Sequence, residues 1–238
     1  MKLDILAFGA HPDDVELGCA GTIAKEIALG KKVGIIDLTR GELGTRGSEI
    51  IRDQEANAAA KILGVSIREN LNMRDGFFVN DEVHQLEVIK IIRKYKPEIV
   101  LCNAIDDRHV DHGKGSKLVS DACFLSGLMK IETQYNGIKQ EAWRPKLVYH
   151  YLQWKNLKPD FVVDITGYND KRVDAILAYT SQFYNPNSDE PETPIASKNF
   201  LESLNYRAKD LGRIIGVDYA EGFTVERYLA VNSLGDLI

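Results

Sequence analysis

Cysteine is scarce in this chain, three residues in 238, and no two of the three stand close together. That excludes a disulfide framework and a cysteine-based zinc knuckle. Cys19, Cys102 and Cys123, each in an apolar setting, are read as reduced core thiols. No apolar run approaches the roughly 20 residues that a membrane-spanning helix needs, so no membrane partner is expected. The apolar run near the amino terminus contains Asp4 and runs straight into His11-Pro-Asp-Asp14. It therefore reads as a buried strand and a poor signal peptide, and a cytoplasmic location is the expectation. There is no Lys/Arg block, and the net charge is −5, which removes the electrostatic footprint of nucleic-acid binding. The glycine-rich stretch Gly41 to Gly47 lacks the GxxxxGK[ST] pattern of a phosphate loop. Gly9, Gly18 and Gly21 do not make a dinucleotide fingerprint either.

What is present is ordinary globular material, 44% hydrophobic and 27% charged, enough for one substantial α/β domain over residues 1–238. No internal repeat or low-complexity linker interrupts it. Lys2 to Phe8 reads as a strand, Leu17 to Ala28 carries apolar residues at helical spacing, and Lys32 to Thr39 reads as the next strand. That order implies a parallel pair with a right-handed crossover. Ser48 is placed as the N-cap of a helix running to Leu63-Gly64, with Arg52 on its first turns facing the site. A helix over 82–96, a strand over 98–103 and a helix over 113–128 repeat the arrangement. Residues 129–145, mixed and polar, are expected to connect across the site. Strands over 146–152 and 161–165 and helices near 169–179 and 198–215 complete a Rossmann-like three-layer α/β/α fold with a mainly parallel sheet. The direction of the edge strands is open.

Chemistry concentrates at two strand-to-helix junctions. The first is Ala10-His11-Pro12-Asp13-Asp14, where His11 and Asp14 stand three apart across a tight turn and can close on one ion. Adjacent Asp13 must project differently and is free to act as a base. A zinc site that performs chemistry takes three protein ligands and leaves a position for water. The third is sought in Asp106-Asp107-Arg108-His109-Val110-Asp111-His112. Three of the five histidines fall in these two clusters, and parallel strands would bring both to one sheet edge.

These residues resemble the zinc-dependent N-acetylglucosaminyl deacetylases of the LmbE-like or PIG-L-like family, whose hallmarks are Ala-His-Pro-Asp-Asp-Glu and a later His-Pro-Asp-His. Here Val15 precedes Glu16, and Val110 stands where the family has proline; neither change removes a ligand. The resemblance extends through Glu16 to Thr22, Thr39 to Thr45, Arg52 to Ala56 and Ser181 to Pro186. It implies that His11, Asp14 and His112 hold Zn(II), that Asp13 is the general base, and that His109, oriented by Asp111, stands near the oxyanion or the leaving amine. Iron(II) suits the same donors. The pattern looks most like the bacillithiol-pathway enzymes that deacetylate N-acetylglucosaminyl malate, with Arg52 where relatives have a substrate-contacting arginine. A bidentate guanidinium suits a malate carboxylate.

Each role has a plainer alternative: Asp13 as a helix cap, His109 as packing, Arg52 as a partner of Glu49 or Glu55. Tyr184 either reaches the substrate or belongs to the core. His84 and His150 are read as structural. Against the deacetylase stand a deacetylase of another N-acetyl sugar, an amidase of thiol conjugates, and a noncatalytic zinc-stabilised module, which would close its site with four ligands. The sequence leaves assembly into a homo-oligomer open.

Overall fold

The computed structural model describes residues 1–236. The chain runs β1 (Ile5–Gly9), α1 (Asp14–Ala28), β2 (Val33–Thr39), α2 (Glu49–Leu63), β3 (Ile67–Met73), α3 (Glu82–Tyr95), β4 (Ile99–Cys102) and α4 (Val110–Leu125). There follow the short pair β5 (Gln134–Tyr135) and β6 (Ile138–Lys139), then β7 (Leu147–Tyr151), β8 (Phe161–Asp164), α5 (Asn169–Leu177), α6 (Lys198–Ile215) and β9 (Ala220–Val225). Seven strands form one sheet in the order β3-β2-β1-β4-β7-β9-β8. The neighbours from β3 to β7 are parallel, and β9 runs antiparallel to both β7 and β8.

The layers follow from the period of two along each strand. Leu6 and Phe8 of β1 face Val88, Ile92 and Leu118 of α3 and α4, while Ile5 and Ala7 face Val15 and Ile23 of α1 and Ala175 of α5. Burying a large apolar side chain such as Phe8 contributes about 1.5–3 kcal/mol, so both faces are firmly covered. Strand order reverses beside β1, between β2 and β4, and ligand crevices of open α/β sheets form at the carboxyl ends of such strands.

Helix α1 is broken at Cys19 (φ −153°), and Glu221 of β9 accepts the freed Gly21 and Thr22 amides at 3.0 and 2.7 Å. Gly18 makes room for Tyr151, whose ring occupies the space that a Cβ would need. The Tyr151 hydroxyl donates to the Phe8 carbonyl at 2.8 Å, tying β7 to the end of β1.

Three expectations need correction. Residues 67–73 and 220–225 are strands that the pattern did not reveal. β3 is a polar edge strand of half-buried residues, and β9 is buried throughout apart from its end. The connection 129–145 lies at the other end of the sheet, away from the site. Trp143 Nε1 donates to the Pro97 carbonyl at 2.7 Å, ahead of β4, and Arg93 of α3 holds the Ile131 carbonyl at 2.6 Å. Helix α4 begins at Val110, three residues earlier than expected, so Asp111 and His112 lie in its first turn with His109 as the cap. The three cysteines are free and buried. Among the described residues no helix is long and apolar enough to cross a membrane.

Candidate active site

Five parallel strands deliver the site. His11 to Asp14 leave β1, Gly41 follows β2, Asp75 follows β3, Asn103 to His112 follow β4, and Gln153 follows β7. A cavity of about 470 Å³ opens over them, lined among others by His11, Asp13, Asp14, Arg46, Arg52, His109 and His112.

The two aspartates diverge. Asp13 takes a left-handed backbone (φ 112°, ψ −24°) that costs a non-glycine residue on the order of 1–3 kcal/mol, and its side chain makes no capping bond to α1. The carboxylate instead meets Arg52, whose Nη2 donates to Asp13 Oδ2 at 3.0 Å and also to the Pro12 carbonyl. Arg52 Nη1 reaches the Gly41 carbonyl at 3.4 Å. A Cβ at Gly41 (φ +64°) would collide with that nitrogen, so only glycine fits. Burial pushes the Asp13 carboxyl up and Asp14 adds repulsion, against the pull of Arg52; the balance is a pKa of about 7.

Asp14 is gripped on both oxygens. Its Oδ2 accepts the His11 amide and Asn103 Nδ2, each at 2.9 Å, and its Oδ1 accepts Gln153 Nε2 at 2.9 Å. Asn103 in turn accepts the Ala10 amide at 2.9 Å and donates to Gln153 Oε1 at 3.0 Å, which locks the amide orientations. His11 Nδ1 lies 3.5 Å from Asp14 Oδ2, and His112 Nε2 lies 3.0 Å from Asp14 Oδ1. Each imidazole is held from behind by a carboxylate: His11 Nε2 by Asp75 at 3.0 Å, His112 Nδ1 by Asp107 at 2.5 Å. Burial lowers both imidazole pKa values, but the surrounding carboxylates win, raising His11 well above its usual value and His112 to about 9. Burial alone would raise Asp14, yet the two histidines hold it well below the ordinary range. Burial and its two positive neighbours lower His109 instead.

This donor chemistry fits a divalent ion. The nitrogens of His11, His109 and His112 lie within 4.8 Å of one another, as do donor atoms of His11, Asp75 and Asp111. The backing carboxylates distinguish the roles, because a metal-bound imidazole characteristically hands its second nitrogen to such a partner. His11 and His112 both have one. His109 Nδ1 instead accepts the Asp111 amide at 3.2 Å, and its ring stands edge-on to His11, 4.6 Å between centroids.

The comparisons with known proteins agree with this setting. Residues 6–123 match the family model described as PIG-L, GlcNAc-PI de-N-acetylase. The uncharacterized deacetylase YaiS of Escherichia coli (strain K12) is 38% identical over 116 residues, which cover 45% of this chain and 61% of YaiS, less than two thirds of its length. Diacetylchitobiose deacetylase of Thermococcus kodakarensis is 28% identical over 75% of this chain and 70% of its own length. The crystal structure of a conserved protein from Thermus thermophilus, TT1542, superposes with a TM-score of 0.85 at 34% identity, covering 97% of this chain and 98% of that one. The chain belongs to the PIG-L/LmbE-like deacetylase family.

Against the expectations for such a deacetylase, His11, Asp13, Asp14, Arg52, His109 and His112 all line one cavity. Two assignments shift. The Asp111 carboxylate turns to His11 Nε2 (3.4 Å), the Gly76 amide (2.7 Å) and Lys114 (3.1 Å), and meets His109 only through its backbone amide. Tyr184 is 40% exposed and does not line the cavity; its neighbour Gln182 does, and Phe183 supplies the core contact. Arg52 pairs with neither Glu49 nor Glu55. Glu49 goes to Arg40 at 3.0 Å, and Glu55 accepts the Ser181 amide and hydroxyl at 2.7 and 2.8 Å. Sequence reasoning missed Asp75, Asn103, Asp107 and Gln153. Asp107 was visible inside the second cluster, whereas Asp75 and Gln153 follow strands whose ends carry no motif.

Proposed function

We propose that this protein hydrolyses the N-acetyl group of an N-acetylglucosaminyl conjugate, with N-acetylglucosaminyl malate of bacillithiol biosynthesis as its substrate, in the cytoplasm. The observation that supports the reading is that Asp14 lies between His11 Nδ1 (3.5 Å) and His112 Nε2 (3.0 Å), each imidazole backed by a carboxylate, beside a separately held Asp13 in one cavity. His11, Asp14 and His112 would hold zinc or iron(II). When bound, the ion supplies Lewis acidity toward the acetyl carbonyl and lowers the pKa of water.

The chain's own residues supply the rest. Asp13, with a pKa of about 7 and its second role as a cap unused, accepts the proton of the attacking water. Arg52 fixes the carboxylate's position and prevents it from joining Asp14. His109, half-buried at the cavity wall, stands where it can hold the carbonyl oxygen in the tetrahedral state or pass a proton to the amine as it leaves. Acetate and a free amino sugar result.

The test is acetate release from a panel: N-acetylglucosaminyl malate, N,N'-diacetylchitobiose and free N-acetylglucosamine, each with zinc or iron(II) supplied. The malate conjugate is expected to give the highest kcat/KM. Acetate from none of the N-acetylglucosaminyl compounds would overturn the reading.

A further inference from the structure

Buried guanidinium groups in this protein are almost all answered by the protein itself. Arg52 and Arg68 are buried against carboxylates, Asp13 for the first and Glu16 and Asp37 for the second. Arg172 lies 3.3 Å from Glu221. Arg93, buried without a carboxylate, has four acceptors: the Ser126, Ile131 and Leu128 carbonyls and Thr133 Oγ1, all at 2.6 to 3.0 Å.

Arg46 breaks this rule. It is only 4% exposed, yet among the described residues its guanidinium makes one hydrogen bond, from Nη2 to the neutral Ser188 hydroxyl at 2.6 Å. Its Nε is buried with no partner, as are those of Arg52 and Arg172, but those two guanidiniums each face a carboxylate and Arg46 has none in ion-pair contact among the described residues. Glu190, two residues beyond Ser188, uses one carboxylate oxygen to accept the Gly47 amide at 3.3 Å. A buried cation without an anion or a full set of acceptors is costly, and sites that carry one are built to be completed by something else. What completes this one is indicated by its position. Arg46 lines the cavity that contains His11, Asp13, Asp14 and His112, on the wall formed by the glycine-rich loop and by Gln182, Thr193 and Pro194. The loop is also held rigid there. The Arg46 carbonyl accepts Gln182 Nε2 at 2.8 Å, and Gln182 Nε2 is itself 2.9 Å from Ser181 Oγ, which Glu55 anchors.

We propose that Arg46, and not Arg52, determines specificity by receiving the carboxylate of an anionic aglycone. This deepens the proposed function and rests on it. Arg52 is unsuited to the task because its Nη atoms are committed to Asp13 and to the Pro12 and Gly41 carbonyls. Spending them on substrate would release the base. Arg46 keeps donors in reserve, and its single neutral partner leaves its charge uncompensated until a carboxylate arrives.

The test compares kcat/KM for N-acetylglucosaminyl malate and for neutral methyl N-acetylglucosaminide, in wild type and Arg46→Gln, at fixed ionic strength. A charge-assisted contact sets the expected loss on the malate conjugate at about 10- to 100-fold, with a loss at least about tenfold smaller on the neutral glycoside. Wild-type preference for the malate conjugate with equal losses on both substrates would overturn the role of Arg46 and leave the proposed function standing. A wild type that does not favour the anionic substrate would overturn the malate reading itself. Should Arg46→Gln fail to fold, Arg46→Lys keeps the stem and charge but loses the planar fork. It is then expected to lose more on the malate conjugate than on the neutral one, and an equal loss rejects the proposal. Calorimetric titration of wild type with L-malate alone adds a readout without turnover: saturable binding that weakens with the Arg46 change supports the assignment, and binding indifferent to that change rejects it.

Discussion

His112 and His150 use the same ingredients and serve opposite ends. Each is an imidazole close to a carboxylate on one nitrogen and to further polar groups on the other. His112 stands between Asp107 at 2.5 Å and Asp14 at 3.0 Å, and lines the cavity. His150, 3% exposed, stands between Glu226 at 3.0 Å and a closed cage of Ser116 Oγ at 2.8 Å, Cys102 Sγ at 3.2 Å and the Asn103 carbonyl at 3.1 Å. Burial pushes His150 toward neutrality, but the Cys102 thiol, Glu226 and the Asn103 carbonyl outweigh it and raise its pKa to about 10. A serine, a histidine and a glutamate in line look like a hydrolytic triad. Ser116 is itself 3% exposed, however, and no substrate carbonyl can reach it. Access to a cavity, and not the identity of the hydrogen-bond partners, separates a reacting histidine from a structural one.

The comparison is sharpest where the effect is largest. Asp13→Asn removes the base without touching a ligand, so kcat is expected to fall by roughly 100-fold or more while bound metal stays near stoichiometric by elemental analysis. An emptied site with residual turnover would exchange the roles of Asp13 and Asp14. Next comes the carboxylate behind His112. Asp107→Asn should weaken zinc binding by about 10- to 100-fold in chelator competition, as loss of an orienting partner does. The matching change behind His150, Glu226→Gln, should leave zinc affinity unchanged. Equal effects at the two positions would erase the distinction drawn between the histidines. His150→Gln is expected to cost about 1–3 kcal/mol of unfolding free energy in denaturant titration, because it strips hydrogen bonds from a closed cage.

A further expected effect is in pH dependence. A folded pKa of about 10 lies above the roughly 6.5 of an unfolded histidine, so the stability that His150 contributes is complete below that lower value. It is lost progressively as pH rises toward 10. Cys102 and Glu226 are the titratable groups facing the ring, and Lys117 acts on Glu226 from α4. Thermal scans between pH 7 and 9.5 should show wild type losing stability more steeply than His150→Gln. Parallel slopes would mean that His150 is neutral in the fold.

Much of the frame was readable in advance. The period-two and period-3.6 patterns located β1, β2, β4 and β7 with their helices, because those elements are buried on defined faces and the burial is written into residue type. β3 escaped because an edge strand with half-buried residues carries weak patterning, and its reading Ile67-Arg-Glu-Asn-Leu-Asn-Met73 is mostly polar. β9 escaped because Ala220-Glu-Gly-Phe-Thr-Val225 hides a buried charge, Glu221, whose partners Gly21, Thr22 and Arg172 lie far off in the chain. The site divided in the same way. His11, Asp14 and His112 announce themselves at strand ends, whereas Gln153 and Asp75 matter only through the positions of other residues.

By itself the sequence determined that two acid- and histidine-rich turns follow apolar strands, and that Asp13 and Asp14, being adjacent, must point apart. Both follow from local chain geometry. Which guanidinium holds the base, which carboxylate stands behind His11, and that Arg46 is buried without an anion were decided only by the tertiary structure. Those pairings join residues up to 64 positions apart, as His11 and Asp75 are, and they form because parallel strands deliver their carboxyl ends to one edge. No local rule of residue type or spacing encodes which of those ends will meet.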